Sequence, residues 1–558
     1  LARSTILPAG VQDDGMSSPI TVFVARRIIT MNPAQPFATH VAVRDGRILA
    51  VGGATEVGDL GAVETDDRFA AKVILPGFVE GHSHLHEGAA WRDPYLGFFD
   101  RRAPDGTIAP GLKNIEAVVE RLRAAAPASN DAITAWGFDP IYFRGRRMTF
   151  ADLDAVSLDR PVVITHASGH IMNVNTAALR QAGLSADTDL DGLVRDEHGA
   201  LTGELRGPEV MGHIRRTVTP DAFARRLDTD AMRRFGQIAR LAGVTTATDL
   251  VSDMSDTTVA TYQEAASSPD FPLRLAPALA ARFYSVPDGI KRLDELRGQN
   301  TDSLHFGLVK LVIDGSIQGF TARLRWPGYH NGAPNGLWYV APSELGGIIE
   351  AYHRAGAHLH IHTNGDEATE VAVEMFERAL TAHPRPDHRH TLQHCQMPDP
   401  ALFHRIKTLG LCCNLFANHI YFWGDEHVAL TMGLSRAMRM DACGTALRLG
   451  IPFAIHSDAP VTPLGPLFTA WCAVMRQTAS GRVLGDGERI PVADALRAIT
   501  LGAAYTLKLD HLVGSIEVGK FADFAVLDEG PLAVAPERLK DIRVDATVRG
   551  GAVFQNPA

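Results

Sequence analysis

The stretch Leu75-Pro76-Gly77-Phe78-Val79-Glu80-Gly81-His82-Ser83-His84 decides how this chain is read. An apolar strand runs into two histidines at positions i and i+2. In an extended chain such positions point to the same side, so both imidazoles address one ion. A His-x-His met alone is commonly a pair of loop histidines. This one gains weight from its address, because β/α barrels place catalytic groups at the C-terminal ends of their strands.

Outward from that stretch, strand-like apolar runs alternate with helical ones, the pattern of a parallel sheet built from βα units. Eight runs are expected as strands: 73–77, 244–251, 273–280, 306–313, 357–362, 390–394, 411–417 and 452–456. The class is therefore α/β, a (β/α)8 TIM barrel over residues 75–504, with a large insertion at 87–240 between strands 1 and 2. Both ends of the chain are instead short, alternating and turn-rich, with Asp45-Gly46 as a hairpin signal. Residues 16–74 and 505–558 are thus expected to form one small β-domain. Residues 1–15 read as a disordered or expression-derived N-terminus, with Met16 as the natural start.

Composition narrows the function classes. With 46% hydrophobic and 21% charged residues the chain is an ordinary globular protein, not a disordered or collagenous one. No run approaches the roughly 18 apolar residues of a spanning helix. The net charge is −10 and there is no long basic run, so neither nucleic acid nor an anionic membrane is expected as a partner. Five cysteines without a CxxC pair read as buried thiols in a reducing compartment. With no signal-peptide pattern visible, the expected location is cytoplasmic.

Further candidates share the strand-end address. His362 closes one run, His394 another, and Asp458 follows the last. His362 and His394 are 32 residues apart, and His394 and Asp458 64, about one and two βα units. With His82 and His84 they form a ligand set whose imidazole and carboxylate donors suit zinc and its neighbours. Lys310, inside Val309-Lys310-Leu311-Val312-Ile313-Asp314, is expected to be buried. Two readings compete for it: an ion pair with a carboxylate such as Asp314, or a carbamate formed with CO2 that bridges two metals. His358 and His360 alternate with His362. His360 and Asp314 are read as hydrogen-bonding supports behind the ligands.

These motifs, together with His362-Thr363-Asn364-Gly365-Asp366, Ser457-Asp458-Ala459-Pro460 and Gly514-Ser515-Ile516-Glu517-Val518-Gly519-Lys520, resemble the amidohydrolase superfamily. The nearest likeness is to the branch containing N-substituted formamide deformylase and related metal-dependent hydrolases. It covers nearly the whole chain from Ile20 and includes Trp136-Gly137-Phe138-Asp139 and Gly169-His170 of the insertion. The resemblance implies a distorted barrel flanked by a β-sandwich from both termini, and hydrolysis at one or two divalent metals, zinc first. It implies that His82 and His84 hold the more buried ion and that a carboxylated Lys310 bridges. His362 and His394 would hold the second ion, and Asp458 would touch metal and attacking water. Four positions depart from the branch: Gly207 stands where a Glu follows Thr-Gly, Thr363-Asn364 replaces Ala-Ile, and His456 replaces a Gly before Ser457-Asp458.

The expected reaction is hydrolysis of a non-peptide C–N bond in an amide, N-substituted formamide or carbamate. Metal-activated hydroxide attacks, and Asp458 shuttles the proton to the leaving amine. His170 and His419 are candidate donors to the oxyanion, or else structural groups of the insertion and of a loop. Aromatics at Trp91, Tyr95, Trp326, Phe416 and Trp423 are expected to wall an apolar pocket for a small amide-like molecule, with plain loop packing as the other reading. The alternatives are a decarboxylase or isomerase on the same site, and a non-catalytic scaffold. A homo-oligomer is compatible with the sequence.

Overall fold

Strands covered on both faces read as continuous apolar runs, and Arg274–Ala280 (RLAPALA) is buried at every position. A computed structural model describes residues 18–58, 60–126, 131–143 and 146–557. Residues 1–15, the expected N-terminal extension, lie outside them. Eight parallel strands form the barrel: β1 (Phe78–Glu80), β2 (Val244–Ser252), β3 (Arg274–Ala280), β4 (Leu308–Val312), β5 (His358–Thr363), β6 (Thr391–His394), β7 (Cys412–Leu415) and β8 (Phe453–Ile455). Each pairs with the next in chain order. Closure between β1 and β8 is made past the strand ends, by a parallel bridge of Ser83 with Ala459 and the His84 amide donating to the Ala459 carbonyl at 2.8 Å. The result is a distorted TIM barrel.

The first strand is not where the run of apolar residues put it. Val73–Pro76 pairs with Ile20–Ile29 and with Phe524–Leu527 in a different sheet, and the barrel strand is Phe78–Glu80. Gly77 is the crossing point. A Cβ there would lie 2.0 Å from Thr245 Oγ1 on β2, so only glycine lets the backbone pass. One apolar run serves two sheets, and periodicity carries no mark of the crossing.

The terminal strands, expected as a sandwich, are hydrogen-bonded in one ladder. Its order is Ala552–Gln555, Val544–Arg549, Phe524–Leu527, Val73–Pro76, Ile20–Ile29, Phe37–Arg44 and Arg47–Gly52, with Val63–Asp66 also on Ile20–Ile29. Phe23, Phe69, Ile74, Phe524 and Val548 pack at its core. Asp45 and Gly46 take φ of 51° and 74°, the left-handed values that a two-residue hairpin turn requires.

Between β1 and β2 the chain builds a second sheet, in the order Leu193–Arg195, Leu201–Arg206, Ile171–Val174, Val162–His166 and Ile133–Phe138. This segment also clamps the loop that follows β8. Buried Arg101 pairs with buried Glu87 at 2.6 Å and donates to the carbonyls of Pro460 (2.7 Å) and Thr462 (3.3 Å). Arg101→Ala would strand the Glu87 carboxylate without a cation. The expected loss is about 3–5 kcal/mol of unfolding free energy in a urea titration, and a loss below about 1 kcal/mol would refute the clamp. Among the described residues no helix is long and apolar enough to cross a membrane.

Candidate metal centre and its surroundings

Barrel geometry brings the two histidines after β1 to the axis. His82 Nε2 and His84 Nε2 each lie 3.2 Å from the same Asp458 oxygen, Oδ1. Neither contact is aligned as a hydrogen bond, and Oδ1 is left without a partner in a buried position. His394 Nδ1 is 3.8 Å from the other oxygen, Oδ2. Donor atoms that face a common point without bonding one another fit a metal ion. For a tetrahedral ion with bonds of about 2.0–2.1 Å, ligand atoms sit about 3.3 Å apart, close to the two 3.2 Å separations. Two overlapping groups have atoms within 4.8 Å of one another: His82, His84 and Asp458, and His82, His394 and His456.

Backbone strain marks the same residues. His394 and Asp458 have φ of 67° and 52°, left-handed values that non-glycine residues seldom take. Along β6 the alternation aims Thr391 and Gln393 inward and His394 outward, and the left-handed turn at His394 brings its ring back to the axis, 4.5 Å from His82.

The orientation of His82 is imposed by Gln393, which sequence reasoning missed. His82 Nδ1–H donates to Gln393 Oε1 at 2.6 Å, and Asn414 Nδ2 donates to the same oxygen at 2.9 Å. The Gln393 amide donates to His360 Nδ1 at 2.6 Å. That network puts the His82 lone pair on Nε2, toward the axis. Glu80 was also missed. It accepts from Ser457 Oγ (2.8 Å), the Ser457 amide (3.3 Å) and the His82 amide (3.2 Å), tying β1 to the segment that carries Asp458. Burial pushes its carboxyl up to about 8 against those hydrogen bonds. The available signal was phase, since Glu80, His82 and His84 share one side of the chain.

Lys310 is buried, and its Nζ lies 3.4 Å from His82 Nε2. Burial lowers its amine to about 7, with Asp458 opposing. The proposed ion pair with Asp314 is not formed. Asp314 accepts instead from the amides of Arg323 (3.1 Å), Asn364 (3.0 Å) and Gly365 (2.9 Å), which holds the loop after β5. His362 belongs to neither ligand group. Its Nε2 contacts the Gly315 carbonyl at 3.2 Å and Asp314 at 3.5 Å, although its ring is 4.4 Å from that of His394. Burial drives His82, His362, His394 and His456 well below the usual imidazole range, which favours their neutral form.

His170 hydrogen-bonds Tyr339 Oη at 3.2 Å, with its ring 5.4 Å from His362. His419 lies behind Phe416 (4.5 Å) and bonds His427 at 3.0 Å. Phe416 and Trp423 stand beside the centre: Phe416 stacks on His456 at 4.6 Å, and Trp423 packs on His419 at 4.4 Å while donating to Asp139 at 2.9 Å. Tyr95 and Trp423 line one pocket with Phe98, Phe99, Tyr142 and Phe422. Trp91 packs on Trp136 at 5.2 Å. Trp326 is 94% exposed, which removes it from the pocket wall; an indole in a loop carries no local signal of the side it will face.

The sequence profile of the amidohydrolase family matches residues 71–555. The chain belongs to the amidohydrolase family. It is 28% identical over 553 residues to Protein LONG AFTER FAR-RED 3 of Arabidopsis thaliana, covering 94% of this chain and 89% of that protein. It is 24% identical over 552 residues to N-substituted formamide deformylase of Arthrobacter pascens, covering 95% and 97%. An uncharacterized metal-dependent hydrolase from Pyrococcus horikoshii shares the fold with a TM-score of 0.70 at 21% identity, over 93% of this chain and 99% of that one. This amidohydrolase is accordingly a hydrolase with a metal-dependent family chemistry.

Proposed function

We propose that this amidohydrolase cleaves a non-peptide C–N bond, that of an amide, N-substituted formamide or carbamate with an apolar or aromatic substituent. The observation that carries the reading is the convergence of His82 Nε2 and His84 Nε2 on one Asp458 oxygen, with the Phe416 ring stacked on the neighbouring His456. The likeness to a formamide deformylase along nearly the whole chain supports the bond type. A divalent ion held by these residues, zinc by the donor set, would supply a Lewis acid that polarises a carbonyl and acidifies water.

The protein's own groups do the rest. Asp458 takes the proton of the attacking water and returns it to the nitrogen as the C–N bond breaks, giving acid and amine. Burial raises its carboxyl above the usual range, against His84 and Lys310, which brings it nearer to a working base. Gln393 keeps the His82 lone pair aimed at the axis, and Phe416 and Trp423 exclude bulk water. The Lys310 amine, brought by burial to about 7, is about half neutral at neutral pH, the form that would add to CO2 and lose a proton to give a carbamate, an anion that would help to hold a divalent ion. Five free, buried thiols suit a reducing interior, and we place the protein in the cytoplasm.

The test is amine release from a panel of neutral N-formyl, N-acyl and carbamate compounds, aryl and alkyl, with zinc-loaded protein. Cleavage of one class supports the reading and maps the leaving group. A panel left wholly untouched by metal-replete protein overturns it.

A further inference from the structure

His456 is the residue after β8 and is fully buried. Its ring is sandwiched between His82, at 4.7 Å and 21°, and Phe416, at 4.6 Å and 28°, with His394 5.0 Å away. Neither of its nitrogens makes an aligned hydrogen bond, the Asn414 backbone giving only a weak polar contact, and neither nitrogen of His394 is hydrogen-bonded. A neutral imidazole carries one N–H and one lone pair, and burying both unsatisfied is costly. Two such rings side by side at a barrel axis call for a ligand that accepts their lone pairs.

We propose that His456 is a direct ligand of a divalent transition-metal ion, forming with His82 and His394 a three-imidazole face that Asp458 completes. The donor atoms of the three histidines lie within 4.8 Å of one another. His82 has only Nε2 to offer, since its Nδ1 is spent on Gln393. One lone pair binds one ion, so the ion that His82 Nε2 holds is the one that His394 and His456 would share with it. A face of three neutral imidazoles favours zinc, cobalt and nickel over magnesium and calcium, which take oxygen donors. The Phe416 and His82 stacking fixes the plane of the His456 ring by packing, so its orientation needs no hydrogen bond.

This inference rests on the metal-centred reading of the site, and its test uses no substrate. The full chain is stripped with a chelator and reloaded with Co2+ or Zn2+. Bound ions per chain, affinity by chelator competition and the Co2+ visible spectrum are read for the wild type, His456→Phe and His456→Leu. Phenylalanine keeps the stacking plane without a nitrogen, and leucine guards against a fold lost to the larger ring. Thermal melting of the metal-free forms identifies variants that fold. The expected result is a loss of affinity on the order of 10²-fold or more in the folded variants, with an altered Co2+ spectrum. Wild-type affinity and spectrum in either folded variant overturn the assignment, as does a wild type that takes up no ion. If the ion depends on His456 but no amide is cleaved, the proposed reaction falls and the ligand assignment stands.

Discussion

Asp458→Asn is expected to lower turnover of a cleaved amide by about 10²-fold or more while the folded protein keeps its ion. Asparagine has nearly the same shape and retains an oxygen toward His82 and His84, but it accepts no proton at neutral pH. The three imidazoles around it remain in place, because Gln393 and the stacking of His456 and Phe416 do not depend on the carboxylate. The measurement is kcat on the best substrate of the panel, alongside bound metal per chain. A variant with near-normal kcat and full metal would remove Asp458 as the proton carrier. A variant that loses its ion would make it chiefly a ligand.

The second large effect is acid lability. His166, His358 and His427 lie outside the ligand groups, and burial lowers them to about 4, 3 and 3. Each is neutral in the fold, bonded to Asn173 Oδ1 (2.6 Å), the Arg389 carbonyl (2.5 Å) and Thr431 Oγ1 (2.7 Å) respectively. In the unfolded chain each takes a proton near pH 6.5. Their folded pKa values are depressed, so their contribution is intact above pH 6.5 and is lost as the pH falls. At pH 5 each costs about 2 kcal/mol, about 6 kcal/mol for the three, set against a typical total of roughly 5–15 kcal/mol. Urea unfolding at pH 7.5, 6 and 5 should show a steep fall below pH 6.5. Stability that stays level down to pH 5 would mean that these rings are solvated in the native state.

Much of this architecture was legible because it rests on local periodicity. The period of two along an extended chain set His82 and His84 on one side, and βα spacing placed His362, His394 and Asp458 at the ends of β5, β6 and β8. Seven of the eight expected barrel strands overlap those of the fold. These are properties of neighbours in the chain, and residues carry them wherever the chain goes.

Tertiary structure decided what neighbours cannot encode. The apolar run 73–80 is divided at Gly77 between two sheets, because Thr245 of β2 leaves room there for backbone alone. A left-handed φ returns His394 to the axis beside Gln393, against strict alternation. Lys310 meets His82 instead of Asp314, whose oxygens are taken by three backbone amides. His456, which reads in sequence as a substitution beside Ser457-Asp458, becomes a candidate ligand only when β8 comes round to β1. The side a residue faces is set by the phase of its own strand, but the partners waiting there come from strands hundreds of residues away, chosen by barrel closure.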